Sequence, residues 1–165
     1  MMYNIRQMIR SDWNEVKEIY RLGIETGNAT FEKEVPSYES FVSNAVLECT
    51  LVATDEAGIQ GWCKLNKSSN RYVYRGLGEV STYVHPREKG KGLGDLLLHT
   101  LTQTSEENGF WTLSAGIFPE NVASIKLHSK HGFEEVGVRK RVGQMQNGQW
   151  RDVILFERRS GRVGV

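Results

Sequence analysis

The chain has 165 residues, a formal net charge of +1 and 39% hydrophobic residues. A chain of this length is predicted to form one compact domain, over residues 1–160, with a flexible tail at 161–165. The balanced charge provides no field that would hold a nucleic acid or a membrane surface. Because neither a signal-peptide pattern nor a run of about 20 apolar residues is present, we expect a cytoplasmic protein with small-molecule or protein partners.

The cysteines point to the same compartment. Cys49 and Cys63 lie outside any C-x-x-C motif or Cys/His cluster with metal-ligand spacing. They are therefore predicted to be buried strand residues in a reducing environment, and neither a metal site nor a disulfide framework is expected.

The chain is predicted to begin with a strand from Tyr3 to Met8, followed by a helix. Asp12 and Glu15 have the spacing of a capping box, which would start that helix. Apolar residues recur every three or four positions after it, as on the buried face of a helix. They are Trp13, Val16, Ile19 and Tyr20.

A second helix is expected from Ser37, with Phe41 and Val46 on its apolar side, after an irregular segment at 27–36. Two apolar runs then flank the turn residue Gly58, a pattern that is typical of a β-hairpin. The two predicted strands are Leu51–Thr54 and Ile59–Leu65.

Strands and helices also alternate in the second half, so the sequence predicts a mixed α/β order. The turn at Asn147 and Gly148 is a type I′ hairpin signal. The stretch Arg158–Arg162 is expected to fray. The predicted strands are Glu79–Val84, Phe110–Phe118, Phe133–Met145 and Trp150–Glu157; the predicted helices are Asn121–Lys130 and one that ends before Gly109, with Leu93, Leu96, Leu97 and Leu101 on its buried side.

A glycine-rich loop joins a predicted strand to a predicted helix. Successive backbone N–H groups and the positive end of a helix can surround a phosphate there. The loop has no Walker A spacing, and Asp95 stands where a dinucleotide fingerprint would have its third glycine. The alternative is a tight turn with two solvated lysines. The loop residues are Lys89, Gly90, Lys91, Gly92, Leu93 and Gly94.

The run Val84–Gly94 resembles the acetyl-CoA loop of the GNAT acetyltransferase superfamily, with Lys89 in place of the usual Gln or Arg. The pattern Asn121-x-x-Ser124-x-x-Leu127-His128-x-x-x-Gly132-Phe133 is similar to that superfamily's second motif. Four further segments resemble its phosphinothricin and methionine sulfoximine acetyltransferase branch. They are Gly27–Phe31, Arg75-Gly76-x-x-Glu79, Leu127-His128 and Gly148–Val153.

The resemblance implies the GNAT fold, a twisted, mixed and mainly antiparallel sheet flanked by helices, with one parallel contact between the strands on either side of the glycine-loop helix. It also implies transfer of acetyl from acetyl-CoA to the primary amine of a small amino-acid-like molecule, without a metal, by a homodimer. The strand Ser81–Val84 should bulge or splay, so that its backbone pairs with the pantetheine arm and the Val84 N–H stabilises an oxyanion. The implied cofactor-binding residues are Tyr83, Val84, Lys89, Gly90, Lys91, Gly92, Leu93, Gly94, Asn121 and Ser124.

Two residues carry the implied chemistry. Glu79 is expected to be a partly buried general base, and its alternative is a strand-end carboxylate paired with an arginine. His128 stands where many members of the superfamily have a tyrosine that acts as the general acid. It is therefore either a general acid or a structural or cofactor-contacting residue. Asn121 suits a helix N-cap as well as a cofactor contact.

For the acceptor, a guanidinium fork suits a carboxylate, so Arg75 is expected to bind the α-carboxylate; the alternative is a solvated loop arginine. Trp150 and Asp152 are expected to shape the pocket or a subunit contact, or, for Trp150, a hairpin core. The expected acceptor-binding residues are Asn28, Thr30, Phe31, Tyr74, Arg75 and Gly76.

The same fold supports two other functions. Acetylation of a protein N-terminus or lysine would need an open peptide groove, which the sequence does not identify. A non-catalytic acyl-CoA-sensing module would lack the base, so the presence of Glu79 disfavours it.

Overall fold

A computed structural model describes residues 2–165 and contains eleven helices and strands longer than a single 3₁₀ turn. In chain order they are β1 (Asn4–Gln7), α1 (Trp13–Glu25), α2 (Tyr38–Val42), β2 (Ala45–Asp55), β3 (Gly58–Lys67), β4 (Leu77–Val84), α3 (Leu93–Glu107), β5 (Thr112–Ile117), α4 (Val122–Lys130), β6 (Glu134–Gln144) and β7 (Trp150–Arg159). None of the helices in this part of the chain is long and apolar enough to cross a membrane.

The strands form one sheet in the order β1-β2-β3-β4-β5-β7-β6. Every neighbouring pair is antiparallel except β4 and β5, which are parallel and are joined through α3. A parallel pair needs a long crossover, which α3 supplies. The predicted mixed, mainly antiparallel sheet with one parallel contact is confirmed.

Helix α3 covers one face of the sheet and packs on β2, β3 and β4. The prediction for its buried face is wrong at Leu96, which is 37% exposed, whereas Leu98 is fully buried. At 100° per residue, Leu98 falls within the arc that α3 presents to the sheet, and Leu96 falls on the opposite side. The buried leucines of α3 are Leu93, Leu97, Leu98 and Leu101.

Helices α1 and α2 cover the opposite face, over a cluster of buried side chains centred on Trp62. The Trp62 ring stacks on Tyr83 of β4, with the ring centroids 4.6 Å apart. Tyr20 and Phe41 pack against the same indole. An aromatic floor on this face therefore supports the middle of the sheet.

The predicted capping box is wrong, because both carboxylates are bound elsewhere. The Asp12 carboxylate accepts two hydrogen bonds from the Arg6 guanidinium, at 2.7 and 2.9 Å, and one from the Ile9 N–H. The arginine holds the pKa of Asp12 below its usual value. The Glu15 carboxylate accepts from the Ile59 N–H at 2.8 Å. These acids tie α1 to the sheet instead of capping it.

Two other local predictions also change. Helix α2 begins after Ser37, as expected, but ends at Val42, so Val46 lies in β2 and packs into the core under α3. The hairpin at 145–149 is present, but it has a three-residue loop with Gly148 at φ +90°. Asn147 is not in the left-handed region that a type I′ turn requires. A type I turn followed by a left-handed glycine fits instead.

The expected fraying at 158–162 is wrong for its first half. Strand β7 extends to Arg159, and the buried Ser160 hydroxyl donates to Glu106. The Ser160 hydroxyl oxygen also accepts from the N–H groups of Arg162 and Val163, both at 3.0 Å. The domain boundary at residue 160 stays a prediction.

Candidate active site

A cavity of about 680 Å³ opens where β4 and β5 separate. The two strands pair only from Leu77 to Glu79 on β4. Beyond this point the cavity is lined by 80–84 on one side and 115–117 on the other. The segment after α1 and the start of α4 complete its walls. Divergence of a parallel pair therefore creates a deep recess in the sheet.

The splayed end of β4 offers backbone groups to this cavity. The His85 N–H donates to the backbone carbonyl oxygen of Gln60 in β3, at 2.8 Å. Because N–H groups alternate along a strand, the Val84 N–H points away from β3 and toward the gap. The β3 to β4 pairing has no register shift, so the strand splays without a bulge. The Tyr83 side chain stays on the aromatic floor, where burial raises its pKa.

The glycine loop presents bare backbone at the start of α3. Gly90 and Gly92 have φ of +79° and +82°, and a Cβ added to either would meet no atom within 4 Å. Gly92 is the N-cap of this 15-residue helix. The N–H groups of Lys89 and Lys91 already donate to the Pro86 and Glu88 carbonyls. The two glycines therefore leave open space beside bare backbone at a positive helix end, as an anion cradle requires.

The other loop residues have different surroundings. Lys89 is exposed and lines the cavity. Lys91 instead donates at 2.7 Å to Glu88, which is 4% exposed and also accepts from the Tyr3 hydroxyl. This contact anchors the loop to the residue that precedes β1. The Leu93 side chain is buried in the core, and Gly94 lies under Leu127 of α4.

Glu79 lies at the mouth of the cavity and is exposed, not partly buried as expected. It takes part in none of the ion pairs found within residues 2–165. The alternative of a paired structural carboxylate therefore loses its support. A carboxylate in this position can accept a proton directly or through a water.

His128 lines the same cavity but is 6% exposed. Its Nδ1 lies 2.7 Å from the Ser124 carbonyl oxygen, which only accepts, so Nδ1 carries the proton. Burial lowers the pKa of His128 below its usual value. The imidazole is therefore neutral at neutral pH, which favours a structural or cofactor-contacting role over that of an acid.

We expect His128→Gln to lower turnover by less than the roughly 100-fold typical of a lost general acid. The pH dependence of stability should change as well. Because the folded pKa is depressed, the unfolded chain takes up the proton first as pH falls below about 6.5, and the parent loses stability in that window. Urea unfolding at pH 7.5 and 5.5 should therefore show a smaller loss for the variant. An equal loss of stability in the parent and the variant would contradict a buried, neutral His128.

Asn121 and Arg151 connect the walls of the cavity. The Asn121 side chain caps α4 by accepting from the Ser124 N–H, and its amide donates to the Asn28 carbonyl. The buried Arg151 guanidinium donates to the Gly27 carbonyl, to Asn28 Oδ1 at 2.7 Å and to Glu120 at 2.8 Å. Sequence reasoning missed Arg151 as a clamp, although it lies within the Gly148–Val153 motif.

The expected acceptor residues divide into two groups. Asn28, Thr30 and Phe31 line the cavity, and the Phe31 ring meets Phe118 edge-on at 4.9 Å. The residues of the segment at 74–76 do not line it. They are Tyr74, Arg75 and Gly76.

Arg75 is exposed, donates to the Tyr72 carbonyl, and stacks its guanidinium over the Tyr72 ring at 4.0 Å. Its assignment to the acceptor carboxylate stays a prediction. Trp150 is 50% exposed, so the hairpin-core interpretation is wrong, and Asp152 binds the Arg141 N–H.

Comparisons with known proteins identify the family. A model of the Acetyltransferase (GNAT) domain matches residues 5–155. The chain belongs to the GNAT acetyltransferase family. Its fold agrees with that of a GNAT superfamily phosphinothricin acetyltransferase from Sinorhizobium meliloti in complex with AcCoA, at 32% identity and a TM-score of 0.87. That match covers 99% of this chain and 91% of the other.

Two curated relatives of this GNAT domain are named as acetyltransferases. It is 31% identical over 160 residues to the phosphinothricin N-acetyltransferase of Alcaligenes faecalis, which covers 93% of this chain and 81% of the relative. It is 37% identical over 108 residues to the L-methionine sulfoximine/L-methionine sulfone acetyltransferase of Pseudomonas paraeruginosa. The latter match spans 65% of this chain and 62% of the relative's length.

Proposed function

We propose that the protein transfers an acetyl group from acetyl-CoA to the primary amine of a small amino-acid-like molecule. One observation carries the proposal: a single cavity is lined by Lys89 at the glycine loop, by the splayed end of β4 and by Glu79. The names of the relatives support the substrate class. Asn28 and Phe31 form part of the cavity wall, where they would limit the size of the acceptor.

Each part of the cavity has a role in this reaction. The N–H groups around Gly90 and Gly92 would hold the pyrophosphate, and the backbone of Tyr83 and Val84 would hold the pantetheine arm. Acetyl-CoA supplies an activated acyl group on a thiol, which with a pKa near 8.5 leaves readily. The Val84 N–H is placed to donate to the oxygen that becomes negative.

Glu79 would take the proton from the attacking amine. An amine is nucleophilic only when neutral, and the ammonium of a free amino acid must lose its proton before it attacks, so a carboxylate placed beside it can act as the base. A buried, neutral His128 would orient the wall near Ser124 instead of supplying a proton. Homodimerisation and a cytoplasmic location stay predictions.

The test is acetyl-CoA-dependent thiol release, followed with a thiol reagent, across a panel of amino acids, L-methionine sulfone, phosphinothricin and short peptides. We expect release with one or more of the free amino-acid analogues and little with peptides. If peptides with a free N-terminus were faster than every amino acid, the protein-acetylation alternative would replace this proposal. Acetyl-CoA binding without release for any amine would favour the sensing module.

A further inference from the structure

Lys64 is a buried lysine in the cavity wall without a carboxylate partner. It lies on β3, is 8% exposed and lines the cavity. Its ammonium donates to the Phe41 carbonyl at 2.9 Å and lies 3.8 Å from the centre of the Phe41 ring. None of the ion pairs among residues 2–165 includes it.

A buried ammonium whose hydrogen-bond partner is a neutral carbonyl is energetically unfavourable, since it has left water without gaining a paired counter-charge. Burial accordingly lowers the pKa of Lys64 to about 8, and the charge of Glu79 acts in the opposite direction. Two of its three N–H donors remain for a ligand, because the Phe41 carbonyl takes one. An anion entering the cavity would supply the missing charge.

The position of Lys64 relative to Glu79 fits an amino acid. In the β3 to β4 register, Lys64 pairs with Ser81 and Asn66 pairs with Glu79. Alternation along the strand puts all four side chains on one face. Lys64 and Glu79 are therefore diagonal neighbours across the two strands, at a separation of about 7 to 8 Å. One small molecule can therefore reach both the ammonium and the carboxylate.

Asn66 provides a second indication that a ligand binds here. Its Oδ1 is buried and accepts no hydrogen bond from any residue between 2 and 165. A buried acceptor without a donor is costly, and the amine of an acceptor molecule beside Glu79 would satisfy it.

We propose that Lys64 binds the carboxylate of the acceptor while Asn66 Oδ1 accepts from its amine, so that this pair, and not Arg75, selects amino acids. The inference rests on the proposed transfer to an amino-acid-like amine. Phosphates of acetyl-CoA are a less suitable partner for Lys64, because the backbone cradle for them lies at the glycine loop. Arg75 lies outside the cavity, stacked on Tyr72.

The experiment compares L-methionine sulfone with its carboxamide in the parent and in Lys64→Met, with Lys67→Met as the matched control. Lys67 is exposed at the end of the same strand and does not line the cavity. We expect Lys64→Met to raise the KM for the acid by about 10- to 100-fold, the range for a hydrogen bond to a charged group, and to leave the amide within about 3-fold. Lys67→Met should change neither.

The outcomes separate this inference from the proposed function. Equal losses for acid and amide, or an unchanged KM for the acid, would overturn the role of Lys64. If Arg75→Ala raised the KM for the acid but not for the amide, and Lys64→Met did not, Arg75 would be the residue that binds the carboxylate. Binding of the sulfone is also measured by calorimetry, so a parent that binds the acid through Lys64 without releasing thiol would refute the proposed function alone. Thermal unfolding checks that the variant is folded, and Lys64→Gln replaces it otherwise.

Discussion

Replacing Glu79 with Gln should lower turnover near pH 7 by about 100-fold or more, while acetyl-CoA binding stays unchanged. The substitution keeps the shape of the side chain and removes the group that takes the proton. Glu79 is exposed at the mouth of the cavity and forms no ion pair within the described chain, so folding should not depend on its charge. The measurement is kcat for the best acceptor, together with acetyl-CoA affinity by calorimetry.

The pH profile distinguishes a base from a binding residue. As pH rises toward the pKa of the acceptor amine, more of the acceptor is already neutral, so the defect of the variant should shrink. Glu134→Gln, an exposed change on β6, serves as the control and should keep parental kinetics. A constant defect at all pH values would indicate that Glu79 binds the acceptor, and normal turnover would remove it from the mechanism.

Much of the fold is predictable from local pattern. A short stretch of sequence is enough to predict the leucine-rich helix α3, the hairpin at Gly58 and the glycine loop, and all three are present. The family resemblance added the parallel pairing of β4 and β5, which depends on a connection and not on any one segment. Two predictions failed because the apolar spacing extends further than the buried face. Leu96 lies on the exposed side of α3, and Val46 lies in β2, beyond the end of α2.

The remaining errors involve polar residues whose partners are distant in sequence. Glu15 has the spacing of a capping box, but its partner is the Ile59 N–H, 44 residues away. Arg151 reaches Gly27 and Asn28 across more than 120 residues. Arg75 has the residue type for a carboxylate site, yet the fold leaves it outside the cavity. Residue type predicts which chemistry is possible, and only the tertiary fold decides which charges share a site.

Lys64 is a site residue that the sequence does not reveal. Within the sequence it is one lysine in a strand that alternates polar and apolar residues, and such a residue normally faces solvent. Here α2 covers that face of β3 and places Phe41 over the ammonium. No local pattern distinguishes this covered lysine from the exposed Lys67, three residues further on.

Replacing Gly92 with Val should weaken acetyl-CoA binding by about 10- to 100-fold or more, through loss of charge-assisted hydrogen bonds from the loop. The valine Cβ would project into the open space that faces the N-terminus of α3, where the phosphates would bind. At φ +82° a valine is also strained, at a cost of about 1 to 2 kcal/mol in stability. Calorimetric titration with acetyl-CoA and urea unfolding measure the two effects separately.

Gly109→Val is the matched control for strain. Gly109 follows the other end of α3, has φ +85°, and also has no atom within 4 Å of an added Cβ. Gly109 is therefore remote from the loop that would hold the phosphates. Both variants should therefore lose a similar amount of stability, but only Gly92→Val should lose acetyl-CoA affinity. If both bound acetyl-CoA as the parent does, the loop would be a structural turn with solvated lysines; equal weakening in both would show that the loss comes from strain in α3 and not from a blocked phosphate site.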